Sequence, residues 1–446
     1  MKFTKKIMLL SASISAQTYA TIPQDINLDA SEIPLHIKTD SSNFSLFNSP
    51  ITTFNDTTYV SFVKPNGRNH ETIIGTIKKN EEKKFITVEG NNLNDPYHAQ
   101  PSLAVDPHGY IHITFNMHSS PWQYSVSSKP ENIDSWIFKG ENLNGRHDSL
   151  ESTKVYGPGA AAIPGNRITY SYFAYDNSGD IHICFREMEF NVPQKEYRDD
   201  NMSLGVASYN AETRRWSRVG NSKSPLATSA GFQAQGCRIY FSKSSNMYIS
   251  WTWYVSYFND AHNKKNNVSL IYSDDKGSSF KNIYGTRLQL PLNIDSSTFV
   301  AKEDYFSGYT RISEGPTVLL LPKPNASIRR STLSFQEGHW SLPSPIPYGG
   351  TELLYDQSRK LLIAVSSGLE LHFSDNNGKT WQTVKPVASS HKYYIWPDQR
   401  YTQTGRGIKL LTQDISTGNL SVFTFNFKNF PTLPVLPLSP EKFTVK

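Results

Sequence analysis

His98 to His118 reads HAQPSLAVDPHGYIHITFNMH, and this stretch decides the fold. It holds an apolar strand, a turn built from Asp, Pro and Gly, and a second strand in which apolar side chains alternate with others. The plan returns as RITYSYFAYDNSGDIHICFRE from Arg167 to Glu187 and as QAQGCRIYFSKSSNMYISWTWY from Gln233 to Tyr254. The second strands align as Tyr110–Phe115, Asp180–Phe185 and Met247–Trp251, and the first and third copies share Ala-Gln at 99–100 and 234–235. Weaker copies begin near Ser49, Arg311, Thr351 and Ile395.

Seven units between about residues 46 and 428, each followed by one or two further strands, predict sheets of about four strands set around a ring. The expected fold is an all-β, seven-bladed β-propeller in one domain, 21–446. The segment around Ile33–Phe47 is expected to close the ring on the last blade. Ser273-Asp274-Asp275-Lys276-Gly277-Ser278-Ser279-Phe280 and Ser374-Asp375-Asn376-Asn377-Gly378-Lys379-Thr380-Trp381 resemble the Asp-box, a turn on the outer edge of propeller blades. There polar side chains satisfy backbone groups and an aromatic anchors the hairpin, so both are read as structural.

Outward from the repeats, Lys2, Lys5 and Lys6 precede an apolar run, Ile7 to Ile14, and a Thr18-Tyr19-Ala20 cleavage signal. This is a secretory signal peptide over residues 1–20 of bacterial character, which implies a periplasmic or released protein. No later stretch reads as a membrane span. Low hydrophobic content (37%), 13% aromatic residues, and frequent Pro and Gly suit many short strands. A net charge of +6 is compatible with a polyanionic ligand, while the lack of an arginine-rich arm or nucleic-acid motif excludes nucleic acid. Cys184 and Cys237 exclude a disulfide scaffold and a Cys-rich zinc site; whether they pair or stay buried thiols is open. No metal motif stands out, and an unidentified structural cation on a loop is left open. The protein is expected to be a monomer.

The repeat register maps polar residues onto matching places. His98 stands before its first strand, where the next copies hold Tyr170, within about two residues, and Gln233. Past the second strand, Asn116 aligns with Arg186 and Thr252, and His118 roughly with Tyr254. Mid-strand His112 and His182 read as structural, His108 and His147 as solvated loop residues. Trp122, Trp396, Arg311 and Arg400 are candidates to line a groove, with Arg311 and Arg400 also candidates for binding sulfate or carboxylate, ordinary salt bridges being the alternative.

The run Asp95-Pro96-Tyr97-His98, Asn116-Met117-His118, Ile168-Thr169-Tyr170 and Phe185-Arg186 resembles the BNR-repeat polysaccharide lyases. These are seven-bladed propellers typified by ulvan lyases and related enzymes that cleave next to a uronic acid. The shared spacings are twenty residues between the histidines and sixteen between Tyr and Arg. The resemblance implies that His98 and Tyr170 act as base and acid, that Arg186 neutralises the uronate carboxylate, and that His118 supports them. Gln233, Asn116, Tyr254 and Arg311 would contact substrate. No metal or other cofactor is implied for catalysis. Gln233 and Tyr254 stand where some relatives carry Tyr or His, Ser171 follows Tyr170, and Glu187 follows Arg186; Glu187 is expected on the opposite side of its strand.

The chemistry suits that set. A forked, permanently charged guanidinium at the carboxylate stabilises the enolate-like intermediate of C5 deprotonation. An imidazole of ordinary pKa near ~6.5 can take the proton, and a phenol can protonate the departing oxygen. Which of the two groups is base depends on whether the uronate is glucuronate or iduronate. Two other classes stay open: a sialidase-like glycoside hydrolase, for which no arginine triad is found, and a non-catalytic carbohydrate-binding propeller.

Overall fold

The structure is a computed structural model. It describes residues 26–39, 47–79, 81–89, 95–138, 155–156, 160–161, 163, 165, 167–188, 202–220, 224–255, 267–296, 299–302, 312–313, 317–320, 331–336, 338–347 and 351–428. Residues 1–20, read from sequence as a signal peptide, His147 and Arg311 lie outside the described residues. Among the described residues, no helix is long and apolar enough to cross a membrane.

The chain is an all-β propeller, with one short helix, Gln399–Gln403, among the described residues. Every stretch read as a repeat unit contains an antiparallel strand pair. These pairs are Ile51–Phe54 with Thr57–Asn66, Ser102–Val105 with Ile111–Thr114, and Ile168–Tyr175 with Ile181–Met188. Then come Phe232–Phe241 with Met247–Val255, Ile312–Ser313 with Thr317–Leu320, Glu352–Asp356 with Leu361–Val365, and Tyr393–Pro397 with Ile408–Asp414. Outer strands extend each pair, and a parallel bridge between Met202 and Gln233 joins the third and fourth groups into one continuous sheet. The first strands of successive groups pack side by side around the centre.

The turns explain why the units repeat. Asp106 Oδ1 accepts from the N–H groups of His108 and Tyr110, and Asp176 Oδ1 accepts from those of Ser178 and Asp180. Ser242 Oγ accepts from Asn246 N–H at the same place in the third copy. A short polar side chain thus replaces the backbone partner the hairpin lacks. Leu361–Val365 and Ile111–Thr114 are buried on both faces, because each sheet is packed between two neighbours. His112 and His182 sit on second strands and His372 on the third strand of its sheet, Leu371–Ser374; they are bonded through Nδ1 to Tyr124, Ser208 and Thr383 hydroxyls, a structural use.

Leu28–Lys38 pairs antiparallel with Asn419–Phe427 as the outermost strand of the last sheet. Ring closure by the N-terminal segment is therefore observed, but the strand starts earlier than expected, and Phe47 lies outside it. On the inner side, Thr53 donates to Asp398 at 2.6 Å, and Lys409 Nζ donates to Thr53 and Thr58 at 3.0 and 2.7 Å, a buried network between last and first sheets.

Both Asp-boxes form the expected turn. Ser273 Oγ accepts from Gly277 N–H at 2.7 Å, Asp275 Oδ1 accepts from Ser279 N–H at 2.9 Å, and Phe280 is fully buried. Ser374 and Asn376 repeat these bonds to Gly378 and Thr380. Gly277 and Gly378 take φ of +85° and +81°, which a side chain would resist. Phe280→Ala is expected to destabilise the fold by about 3–5 kcal/mol through the cavity it leaves. Urea denaturation checks this; a loss below ~1 kcal/mol would remove the anchoring role.

Candidate active site

The site begins with a tight turn. The Asp95 carbonyl accepts from the N–H groups of His98 and Ala99 at 3.2 and 3.0 Å, which folds the Asp95–His98 run back on itself. The Asp95 carboxylate then accepts from His98 Nδ1 at 2.7–2.8 Å. Twenty residues on, Asn116 turns the chain with φ +54°, and its N–H bonds Ala99 O at 3.1 Å. That turn returns His118 to the same carboxylate, with Nδ1 2.7 Å from Asp95 Oδ2. The two imidazoles lie stacked, centroids 3.9 Å apart and 7° from parallel. A neutral imidazole that donates through Nδ1 keeps its lone pair on Nε2, so this carboxylate selects the tautomer a base needs.

Charge follows the geometry. Burial lowers the pKa of His118, the His98 and Arg186 charges lower it further, and the Asp95 carboxylate opposes them. Burial pushes the Asp95 carboxyl up, but the hydrogen bond and charge of His98, helped by His118, outweigh it and hold Asp95 below its ordinary value.

Tyr170 reaches the histidines through a β-bulge. The register of Ile168–Tyr175 against Ile181–Met188 slips between Thr169 and Tyr172, and Tyr170 takes φ +57°. A left-handed conformation at a bulky residue costs of order 1–3 kcal/mol, and a bulge re-aims the side chain it carries. The Tyr170 ring stacks on Phe47, centroids 4.1 Å apart, and stands 5.4 Å from the His98 ring. The histidine loop is tied to the same strand, since Ser119 N–H bonds Thr169 Oγ1 at 2.8 Å.

Arg186, buried near the end of Ile181–Met188, holds its guanidinium carbon 4.7 Å from the Tyr170 ring centroid. It donates to Gln233 and Gln235 amide oxygens at 3.5 and 3.4 Å. Strand alternation sends Glu187 the other way, into a buried bidentate pair with Arg218 at 2.8 and 2.6 Å. The disulfide Cys184–Cys237 settles the pairing left open by the sequence, and it ties the Arg186 strand to the strand that carries both glutamines.

Of the residues singled out from sequence, the structure brings together His98, His118, Tyr170 and Arg186, with Gln233 against the arginine. Asn116 contributes the turn that returns His118, and Tyr254 stands opposite Gln233 in the strand register. The register itself needs correction. Counted from Asp106, Asp176 and Ser242, Tyr170 matches Gln100 and Gly236, not His98 and Gln233. Gly236, at φ +67°, is the bulge of its own strand. Trp122 is fully buried, Trp396 is buried with Nε1 bonded to Asn48, and Arg400 bonds Val105 O between the Phe54 and Tyr175 rings. The two tryptophans build the core, whereas Arg400 is half-buried.

Three site residues were missed. Asp95 was visible in its three-residue spacing from His98, and Gln235 in the shared Ala-Gln pair. Phe47 carried no signal. Asp95, His98 and His118 also place their ligand atoms within 4.8 Å of one another, a cluster no sequence motif announced.

Residues 57–306, more than half of the chain, match the BNR repeat-containing family. The chain belongs to that family. This BNR-repeat protein is 23% identical over 267 residues to an ulvan lyase of Nonlabens ulvanivorans, a match covering 52% of this chain and 50% of that one. It thus spans about half the length of that curated relative. Its fold superimposes on the crystal structure of the polysaccharide lyase Uly1 with a TM-score of 0.60 at 12% identity, over 87% of this chain and 90% of that one. The family resemblance read from the residues is borne out.

Proposed function

We propose that this protein is a secreted, monomeric polysaccharide lyase, and that it cleaves an acidic, uronate-containing polysaccharide of ulvan type at the mouth of a seven-bladed ring. One observation carries the reading. An imidazole, a phenol and a guanidinium from neighbouring sheets converge, with His98 5.4 Å from Tyr170 and Arg186 4.7 Å from Tyr170. The likeness to lyases in sequence and fold supports it.

In the proposed β-elimination, Arg186 binds the uronate carboxylate and stabilises the charge that moves onto it when C5 loses its proton. His98 takes that proton on Nε2. The C–H electrons form the C4=C5 double bond, the C4–O4 bond breaks, and Tyr170 gives its phenolic proton to O4. The products are an unsaturated uronate and a new reducing end. Solvent returns the proton from His98 to Tyr170. His118 shares the Asp95 carboxylate and steadies His98; Gln233, Asn116, Tyr254 and Arg311 contact the sugar chain. No cofactor enters any step.

The test is a panel of acidic polysaccharides, ulvan, glycosaminoglycans, alginate and plant gums among them, followed by ultraviolet absorbance and mass spectrometry. Lyase action releases products with an absorbing C4=C5 bond beside the carboxylate. Reducing ends without that chromophore would instead mark a hydrolase, and binding without cleavage a carbohydrate-binding propeller.

Asp95→Asn gives a second expectation. The carboxylate favours the charged form of His118, so its loss lowers that pKa further. Turnover at neutral pH falls at least about tenfold, because the amide no longer selects the Nδ1–H tautomer. NMR titration of the imidazole resonances checks the first and turnover at neutral pH the second; an unmoved His118 with full activity would show the carboxylate to be idle.

A further inference from the structure

We propose that Asp95, His98 and His118 form a binding site for a divalent transition ion of the zinc class, and that filling it switches the base off. The second half rests on the lyase reading; the first does not.

Two imidazole nitrogens and a carboxylate oxygen lie within 4.8 Å of one another. Zinc takes this mixed nitrogen and oxygen set with ligands at about 2.0–2.2 Å, whereas calcium and magnesium select oxygens alone. Backbone bonds hold the donors in place before any ion arrives: Asp95 O to His98 and Ala99, and Asn116 N–H to Ala99 O. His98 and His118 are 27% and 38% exposed at the side chain, so an ion can enter and keep water on its open positions. The rings are nearly parallel, and the lone pairs of parallel rings do not converge. Loading therefore requires them to splay, and the more exposed His118 is the one placed to turn.

The consequence is a tautomer change. Each imidazole now gives its Nδ1 proton to Asp95. An ion on Nδ1 displaces that proton, and solvent delivers one to Nε2, so each neutral ring still carries one proton and zinc changes no oxidation state. The Nε2 lone pair that would take the C5 proton is gone. Zinc should thus lower kcat while leaving KM, which depends on Arg186 and the sugar contacts, little changed.

The test uses the mature protein without a polyhistidine tag, stripped with EDTA. Calorimetric titration with zinc chloride is expected to show one saturable site, and cobalt(II) is expected to give visible d–d absorption at one equivalent. Asp95→Ala and His118→Ala should each weaken binding by more than about tenfold, with thermal melting confirming that both variants fold. Calcium and magnesium should not displace zinc. Absence of saturable binding, or affinity within twofold of wild type in both variants, would overturn the site. Binding is read without turnover, so the two failures separate. Zinc uptake in a protein that yields no unsaturated product on any polymer would sink the lyase reading and the switch but leave the site. Lyase activity in a protein that takes up no zinc would sink the site alone.

Discussion

Arg186→Ala is expected to lower kcat/KM on a uronate polymer by about 10²–10³-fold, the range seen when a preorganised donor to developing charge is removed. The C5 proton of a uronate is hard to remove because the neighbouring carboxylate is already negative. As the proton leaves, more charge flows onto the carboxylate oxygens, so a cation there gains more in the transition state than in the ground state. Both kcat and KM should suffer, kcat more. Arg186→Lys should fall between the two. Lysine keeps the charge but loses the planar fork, and cannot hold two amide oxygens and a carboxylate together. Arg186 is buried against Tyr170, so a melting curve must accompany the kinetics. A folded Arg186→Ala enzyme within threefold of wild type would remove this residue from the reaction.

How far the sequence led depended on whether the information was local. Strand–turn–strand units were legible because Asp106 and Asp176 satisfy hairpin backbone groups from within the hairpin itself. The opposite aim of Glu187 and Arg186 was legible from alternation alone. The bulge at Tyr170 was not. It is set by the mismatch of two strands, and nothing in a tyrosine announces φ +57°. Tyr170 matches Gly236, the equivalent bulge of the next repeat, and Gln233 lies three residues before it. Phe47 joins Tyr170 from 123 residues away and Cys184 joins Cys237 from 53, contacts that only the packing of separate repeat units creates. The N-terminal strand was foreseen in role but not in bounds, because its start is fixed by the partner strand Asn419–Phe427.

Tyr170→Phe is expected to cost about 10²–10⁴-fold in kcat with KM nearly unchanged, the scale of general acid–base catalysis. The substitution is clean. Phenylalanine keeps the stack on Phe47 and the face turned to Arg186, and it meets the same backbone conformation. Only the hydroxyl proton is lost. The strain at φ +57° gives this residue a special place: the fold tolerates a conformation costing of order 1–3 kcal/mol and thereby sets the phenol between imidazole and guanidinium. Substrates can separate the roles of His98 and Tyr170. If Tyr170 protonates O4, a leaving group acidic enough to depart unaided should restore much of the turnover of Tyr170→Phe. The same substrate should do nothing for His98→Ala, in which no group takes the C5 proton. Rescue of His98→Ala but not of Tyr170→Phe would reverse the assignment and make the phenol the base, with the Arg186 guanidinium carbon 4.7 Å from its ring centroid.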